Sequence, residues 1–139
     1  MQKLRVLVAE DDPLTLKLLD KLLTTWGYEV VPVYDGETAR RVLQGGGIRI
    51  CILDWEMPGL NGRDLCAWIH WSDLEPVPYV ILLTAKGSSQ QILDGFAAGA
   101  DDYITKPFEA DDLRYRLAAL ALRVLQADAI GEEVRRLDH

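Results

Sequence analysis

Side chains able to do chemistry stand at the ends of four apolar segments of this chain. In chain order they are Glu10 and Asp11 after Leu4–Ala9, Asp54 after Ile48–Leu53, Thr84 after Tyr79–Leu83, and Lys106 after Tyr103–Thr105. Apolar runs of this length that alternate with helical patterns are typical of buried parallel strands. Because ligands bind beyond the carboxyl ends of such strands, the sequence predicts one rim that holds three carboxylates, a hydroxyl and an ammonium group.

The three acids of this rim predict a Mg²⁺ site. Glu10, Asp11 and Asp54 would place three negative charges together, which is costly unless a cation or a proton neutralises them. Oxygen ligands without histidine or cysteine favour Mg²⁺. Solvated acids after a strand are common, and that is the plain alternative for Glu10 and Asp11. Thr84 and Lys106 on the same rim favour the metal.

Asp54 is the candidate nucleophile, because carboxylates can form aspartyl-phosphate intermediates. Phosphoryl transfer depends mainly on positioning and charge neutralisation, which Mg²⁺ and Lys106 would supply, while Thr84 could donate a hydrogen bond to a phosphoryl oxygen. Taken alone, Lys106 would be a surface lysine in a turn and Thr84 an ordinary strand end. The bond from Lys106 to Pro107 can be cis at a strand end, which would aim the lysine inward.

Five strands alternate with five helices in the pattern that must position these residues. The strands are predicted at Arg5–Ala9, Tyr28–Val33, Ile48–Asp54, Tyr79–Thr84 and Asp102–Thr105, and the helices begin near Pro13, Asp35, Arg63, Ser88 and Glu109. This (βα)5 alternation predicts an α/β fold with a parallel sheet covered on both faces.

The last helix is predicted to end near Gln126 and to bury a stripe of four residues, Leu113, Leu117, Leu120 and Val124. Leu122 and Leu125 lie off that stripe. They are either loose extra packing or a second apolar edge used in dimerisation or in coupling to an output module.

Composition predicts one domain over residues 1–126, with 127–139 as a C-terminal tail, either a fraying helix or the start of a linker. The chain has 139 residues and a net charge of -7, so direct nucleic-acid binding is not expected. No apolar stretch approaches the roughly 20 residues of a membrane span, and the expected location is the cytoplasm. Cys51 and Cys66 form no metal motif and are expected to be small buried hydrophobes.

Four motifs in this order carry a family resemblance: V-A-E-D-D-P, I-L-D-W-E-M-P-G-L-N-G, L-L-T-A and G-A-D-D-Y-I-T-K-P-F. From about Leu4 to Leu125 the chain resembles a receiver domain of the two-component response regulators. The resemblance implies the flavodoxin-like doubly wound sheet with strand order 2-1-3-4-5. It also implies that Asp54 accepts a phosphoryl group from the phosphohistidine of a histidine kinase or a histidine phosphotransfer protein.

The same resemblance assigns the remaining roles. Mg²⁺ would be held by Glu10, Asp11, Asp54 and the backbone carbonyl of Glu56, and the phosphoryl group would be bound by Thr84 and Lys106. Tyr103 matches the aromatic switch position that is coupled to Thr84, and its ring would turn into space beside that threonine after phosphorylation. Without the resemblance, Tyr103 would be interpreted as a tyrosine packed at the sheet edge.

The expected function is a phosphorylation-dependent signalling switch rather than an enzyme, apart from self-catalysed phosphoryl uptake and loss. The signal would leave through the face built by Ser89–Ala98, Asp102–Thr105 and Glu109–Leu125, either to a second copy of the chain or to an output domain that would follow it.

Two alternatives are disfavoured. A Mg²⁺-dependent phosphatase of the haloacid dehalogenase kind would show D-x-D-x-[TV] after the first strand, where this chain has E-D-D-P. A pseudo-receiver that acts only as an interaction module would not need the complete set of acids together with Thr84 and Lys106.

Overall fold

The computed structural model, which describes residues 3–85 and 87–138, alternates strands and helices along the whole chain. The strands are β1 (Arg5–Ala9), β2 (Glu29–Val33), β3 (Ile50–Asp54), β4 (Tyr79–Thr84) and β5 (Asp102–Thr105). The helices are α1 (Pro13–Thr25), α2 (Gly36–Gln44), α3 (Gly62–His70), α4 (Ser89–Ala97) and α5 (Ala110–Leu137). All neighbouring strands are parallel, in the order β2-β1-β3-β4-β5, which confirms the predicted fold class.

Two apolar layers cover the sheet, because successive side chains of a strand point to opposite faces. On one face, strand residues such as Val6, Ile52 and Ile81 pack with α1 and α5, and the predicted α5 stripe is fully or almost fully buried. On the other face, Leu7, Leu53 and Leu82 pack with α2 and α3. Cys51 and Cys66 are fully buried in this second layer, as predicted.

Side chains of the residue just before several helices fix where the helices begin. Asp12, Asp35 and Asn61 each accept a hydrogen bond from the backbone N–H three residues later. Ser88 does the same for α4 and forms a reciprocal capping box with Gln91. Such caps satisfy N–H groups that have no partner inside the helix, so they hold the loops that follow β1 and β3 in place.

Helix α5 is longer than predicted and runs to Leu137 rather than ending near Gln126. Two side chains explain part of the difference, since Asp128 accepts two hydrogen bonds from the Arg49 guanidinium, at 2.8 and 2.9 Å. The residues beyond it are mostly good helix formers, although Ile130 and Val134 are exposed. His139 lies outside the described residues, and the proposed division at residue 126 stays a prediction.

Two peptide bonds before proline are cis, Glu75–Pro76 and Lys106–Pro107. Within the described ranges, no helix combines the length and the apolar character needed to cross a membrane.

Candidate functional site

The carboxyl ends of β1, β3, β4 and β5 bring the predicted residues to one rim. Glu10, Asp54 and Thr84 are buried there, Lys106 is half-buried and Asp11 is exposed. One carboxylate oxygen from each of Glu10, Asp11 and Asp54 can be chosen so that all three lie within 4.8 Å of one another. The rim therefore concentrates negative charge at the end of the central strand β3.

Lys106 reaches across the rim to the acids. Its Nζ donates a hydrogen bond of 2.6 Å to Glu10 Oε1 and lies 3.4 Å from Asp54 Oδ1. The backbone N–H of Lys106 donates to the carbonyl oxygen of Thr84 at 2.8 Å. The backbone bond fixes where the lysine leaves β5, and the ammonium group partly neutralises two buried carboxylates.

Charge coupling between Glu10 and Asp54 moves their pKa values apart. Burial and, after it, the neighbouring Glu10 together raise the pKa of Asp54 to about 7, although Lys106 opposes the shift. Burial also acts to raise the pKa of Glu10, but hydrogen bonds with Asp54 and Lys106 outweigh it and the pKa is lowered. Ionising two acids this close to each other is energetically costly. The ammonium group of Lys106 alone is therefore not enough to neutralise the cluster.

The donor set fits Mg²⁺. It consists of carboxylate oxygens, with a shortage of positive charge at Asp54, and hard oxygen ligands of this kind suit a small divalent cation that keeps several waters. Glu10, Asp11 and Asp54 are the side chains that would hold the ion. Glu56 lies next to them, since its backbone N–H donates to Asp54 Oδ1 at 3.3 Å, and the use of its carbonyl as a further ligand stays a prediction.

The β3–α3 loop is held against Asp54 by a glycine that sequence reasoning did not single out. The N–H of Gly62 donates to the carbonyl oxygen of Trp55 at 2.9 Å. A Cβ at Gly62 would lie 2.8 Å from the carbonyl carbon of Asp54 and closer still to its oxygen. Its signal in the sequence is its place at the end of the motif that carries Asp54, just before the predicted helix at Arg63, and this does not reveal the contact.

Tyr103 already occupies an inward position beside Thr84. Its side chain is 8% exposed, and its ring stands edge-on to Trp55 with centroids 6.3 Å apart. The ring of Phe96 lies on another side at 6.4 Å. Burial raises the pKa of Tyr103, and a hydrogen bond with the Thr84 side chain partly opposes that shift. The space beside Thr84 that the ring is expected to enter after phosphorylation is therefore already filled by the ring in this structure.

Tyr103 also lines a groove of about 450 Å³ between α4, β5 and α5. Ile92, Phe96 and Phe108 supply apolar walls, and Arg116 pairs with Asp102 and Asp112 at 2.6 and 2.8 Å. A larger cavity of about 940 Å³ lies at the opposite end of the sheet, beside Arg5 and Arg49. It contains none of the rim residues, so size alone does not mark the reactive site.

The chain is similar to response regulators along most of its length. The family model described as response regulator receiver domain matches residues 6–118. The transcriptional regulatory protein TcrA of Mycobacterium tuberculosis is 39% identical over 123 residues, which are 86% of this chain and 46% of TcrA. The chain thus spans about half the length of the curated relatives it matches.

Solved receiver domains share the fold. The receiver domain of the Francisella response regulator 1452 has a TM-score of 0.82 and 30% identity, covering 88% of this chain and 99% of that one. The receiver domain of a LuxO repressor protein from Vibrio parahaemolyticus has a TM-score of 0.86 and 28% identity, covering 93% and 98%.

With the sheet order, the acid cluster and the matched motifs in agreement, the chain belongs to the response regulator receiver domain family. It is a two-component signalling domain rather than a classical enzyme. The family assignment confirms the resemblance that the motifs indicated, and it removes the reason to consider a haloacid dehalogenase phosphatase.

Proposed function

We propose that this receiver domain is a switch set by phosphorylation of Asp54, with a histidine kinase or a histidine phosphotransfer protein as the donor. The observation that carries the proposal is the buried Asp54 carboxylate at the end of β3, within 4.8 Å of two further acids and 3.4 Å from the Lys106 ammonium. The acids call for a cation beside the Lys106 ammonium, and the two positive groups together would neutralise the negative charge that phosphoryl transfer brings to Asp54.

The reaction forms one bond and breaks another. An Asp54 carboxylate oxygen attacks the phosphorus of phosphohistidine, the P–N bond breaks, and the imidazole leaves. Loss of the group is hydrolysis, in which water attacks the phosphorus and the acyl phosphate P–O bond breaks. Both steps are self-catalysed at this rim.

The residues around Asp54 have separate roles in the proposal. Lys106 stabilises charge on the phosphoryl oxygens, and the Thr84 hydroxyl donates a hydrogen bond to one of them. Bound Mg²⁺ would neutralise the acids and the phosphoryl group and so favour attack. Glu10, Asp11 and Asp54 hold that ion.

Intact-mass spectrometry after treatment with acetyl phosphate tests the acceptor. The parent protein should gain one phosphoryl group with Mg²⁺ present and none with excess chelator, and Asp54→Asn should gain none. Asp12→Asn is the matched control, because Asp12 caps α1 from an exposed position and asparagine caps equally well. A phosphoryl adduct that persists in Asp54→Asn would move the acceptor elsewhere.

Calorimetry tests the metal assignment. Asp11 is exposed and belongs to no described strand or helix, so Asp11→Ala should leave the fold intact while Mg²⁺ affinity falls at least tenfold. The Asp12→Asn control should bind Mg²⁺ as the parent does. Unchanged Mg²⁺ affinity in Asp11→Ala would contradict the proposed ligand set.

The signal is proposed to leave through the face formed by α4, β5 and α5. A phosphoryl group adds about -1.5 to -2 charge and competes with Tyr103 for the Thr84 side chain. That changes how the inward ring is held and therefore the shape of the groove that it lines. Two arrangements biased by one local charge are sufficient for a switch.

Partners of that face are proposed to be a second copy of the chain or a C-terminal output domain, in the cytoplasm. The name of TcrA, a transcriptional regulatory protein about twice the matched length, supports an output domain in a longer protein. Direct nucleic-acid binding by the receiver itself is not part of the proposal, since its net charge is -7.

Amide exchange across residues 88–125 tests the route. Phosphorylation should change exchange in this range in the parent protein, and Thr84→Ala should still accept the phosphoryl group but lose most of that change. Equal exchange changes in the phosphorylated Thr84→Ala protein would show that another route carries the signal.

A further inference from the structure

We infer that Gly95 in α4 is a positioning residue for the switch, because its missing side chain makes the space that the inward Tyr103 ring occupies. The inference rests on the proposed function for its biological meaning. The distances on which it is based do not depend on phosphorylation.

A methyl group at Gly95 would meet two neighbours at once. A Cβ built there would lie 3.0 Å from Leu82 Cδ1, 3.1 Å from Tyr103 Cε2 and 3.2 Å from Tyr103 Cδ2, whereas ordinary contact begins at 3.4 Å. Gly95 is absent from the glycines with positive φ, so its backbone conformation is open to any residue. Since glycine weakens a helix relative to alanine, the reason for glycine here is space.

Of the two neighbours, the Tyr103 ring is the one that can move. Leu82 is fully buried and belongs to β4, which is paired with β3 on one side and with β5 on the other. The Tyr103 ring is held by Trp55, Phe96 and the hydrogen bond with Thr84, but it also lines the open groove. A methyl group at residue 95 would therefore push the ring a few tenths of an ångström toward the groove and away from Thr84.

Helix α4 depends on this contact. Of its nine residues, all of which the structure describes, only Gly95 is buried, while Leu93 and Phe96 are exposed. The neighbouring Asp94 pairs with Arg63 of α3 at 3.0 Å, which fixes one side of the helix. The other side packs on the core through Gly95, which faces Leu82 and Tyr103, and through the partly buried Ile92. A displaced ring therefore changes how α4 packs and the width of the groove.

Fluorine NMR of protein labelled with 3-fluorotyrosine measures the ring directly. The chain has five tyrosines, and Tyr103→Phe assigns the relevant signal. In Gly95→Ala we expect the Tyr103 signal to move toward that of exposed Tyr115 and to gain a solvent isotope shift. Gly131→Ala in α5 is the matched control, because its Cβ would meet nothing nearer than Arg135 Nη1 at 3.7 Å, and it should leave the Tyr103 signal unchanged.

Thermal unfolding supplies a second test in which the ring is absent. In the parent background Gly95→Ala should lower Tm, although alanine favours the helix. In a Tyr103→Ala background the same change should raise Tm, as Gly131→Ala does in the parent, because Leu82 can shift into the vacated space. An unmoved Tyr103 signal in Gly95→Ala, or an equal rise in Tm in both backgrounds, would overturn the inference.

Treatment with acetyl phosphate separates this inference from the proposed function. Phosphorylation should shift the Tyr103 signal in the parent, where the ring is hydrogen-bonded to Thr84, and not in Gly95→Ala, where the ring is displaced from Thr84. If the parent takes up no phosphoryl group, the proposed function fails while the displaced signal of unphosphorylated Gly95→Ala still supports the role of Gly95. A phosphorylation shift of the same size in both proteins would overturn the role of Gly95.

Discussion

Replacing Gly62 with alanine should disturb Asp54 through the backbone. The new Cβ would lie 2.8 Å from the Asp54 carbonyl carbon and 3.0 Å from Trp55 Cα. Ordinary contact begins at 3.4 Å, so the backbone that carries the phosphoacceptor must retreat by at least 0.6 Å. Neither atom belongs to a flexible side chain that could turn away. Strand β3, which ends at Asp54, is paired with β4 along its whole length.

The expected cost follows from overpacking at a backbone contact. Forcing extra volume into a packed site costs about 1–3 kcal/mol, and alanine returns less than about 1 kcal/mol of helix propensity. A net loss of about 1–2 kcal/mol in a domain of this size corresponds to a fall in Tm of roughly 3–10 °C. Displacement of a reacting group by about 1 Å can slow a reaction about a hundredfold, so we expect phosphorylation of Asp54 to slow by roughly ten- to a hundredfold.

Mass spectrometry of samples quenched at successive times after addition of acetyl phosphate gives the rate of Asp54 phosphorylation, and calorimetry gives Tm. Gly131→Ala adds the same methyl group to an open position of α5 and should raise Tm slightly with no change in rate. If Gly62→Ala is phosphorylated as fast as the parent, the loop does not position Asp54 and the steric reasoning is wrong.

Three further changes test the electrostatics. Burial raises the pKa of Asp101, so this carboxyl group contributes stability that is present below about pH 4 and is lost as pH rises through its folded-state pKa. In urea unfolding, Asp101→Asn should remove that contribution, so the difference in free energy of unfolding between variant and parent should change as pH rises above about 4, and parallel curves would contradict it. Asp128→Asn breaks the pair with Arg49, worth about 0.2–1 kcal/mol, and should speed amide exchange over residues 127–137. High salt should do the same in the parent, and slow exchange in both cases would show that the pair does not hold α5. Lys106→Met removes the ammonium from two buried acids and should lower Tm, and Mg²⁺ should raise Tm more in this variant than in the parent. An equal Mg²⁺ effect would mean that lysine and metal do not act on the same charges.

Local patterns were sufficient to predict the parallel strands and their rim, whereas the strand order came from the family resemblance. Strands β4 and β5 begin and end where the sequence indicates, because each apolar run is bounded by a polar or turn residue such as Pro78 or Thr84. The β2 and β3 strands begin one and two residues later than predicted. Since parallel strands share one carboxyl edge, locating their ends also located Glu10 and Asp54 near each other.

Contacts between distant segments could not be predicted from those patterns. The pair of Arg49 and Asp128 joins positions 79 residues apart. It lies in the part of α5 beyond residue 126, where the polar composition predicted a tail. Likewise the spaces beside Gly62 and Gly95 depend on how β3 and β4 pack against α3 and α4. A glycine in a sequence shows that a side chain is missing, but not which neighbour needs the space.

Because both cysteines are buried, the native protein should react slowly with thiol reagents. Burial raises the pKa of Cys51 and Cys66, for Cys66 to about 12, and the thiolate is the reactive form. A single cysteine introduced at an exposed position of α5, such as Leu125→Cys, would therefore be labelled alone without removal of the two native ones. Conversely, maleimide modification of Cys51 requires the helices that cover its face of the sheet to move away, so the rate of that modification measures how often this layer of the core opens.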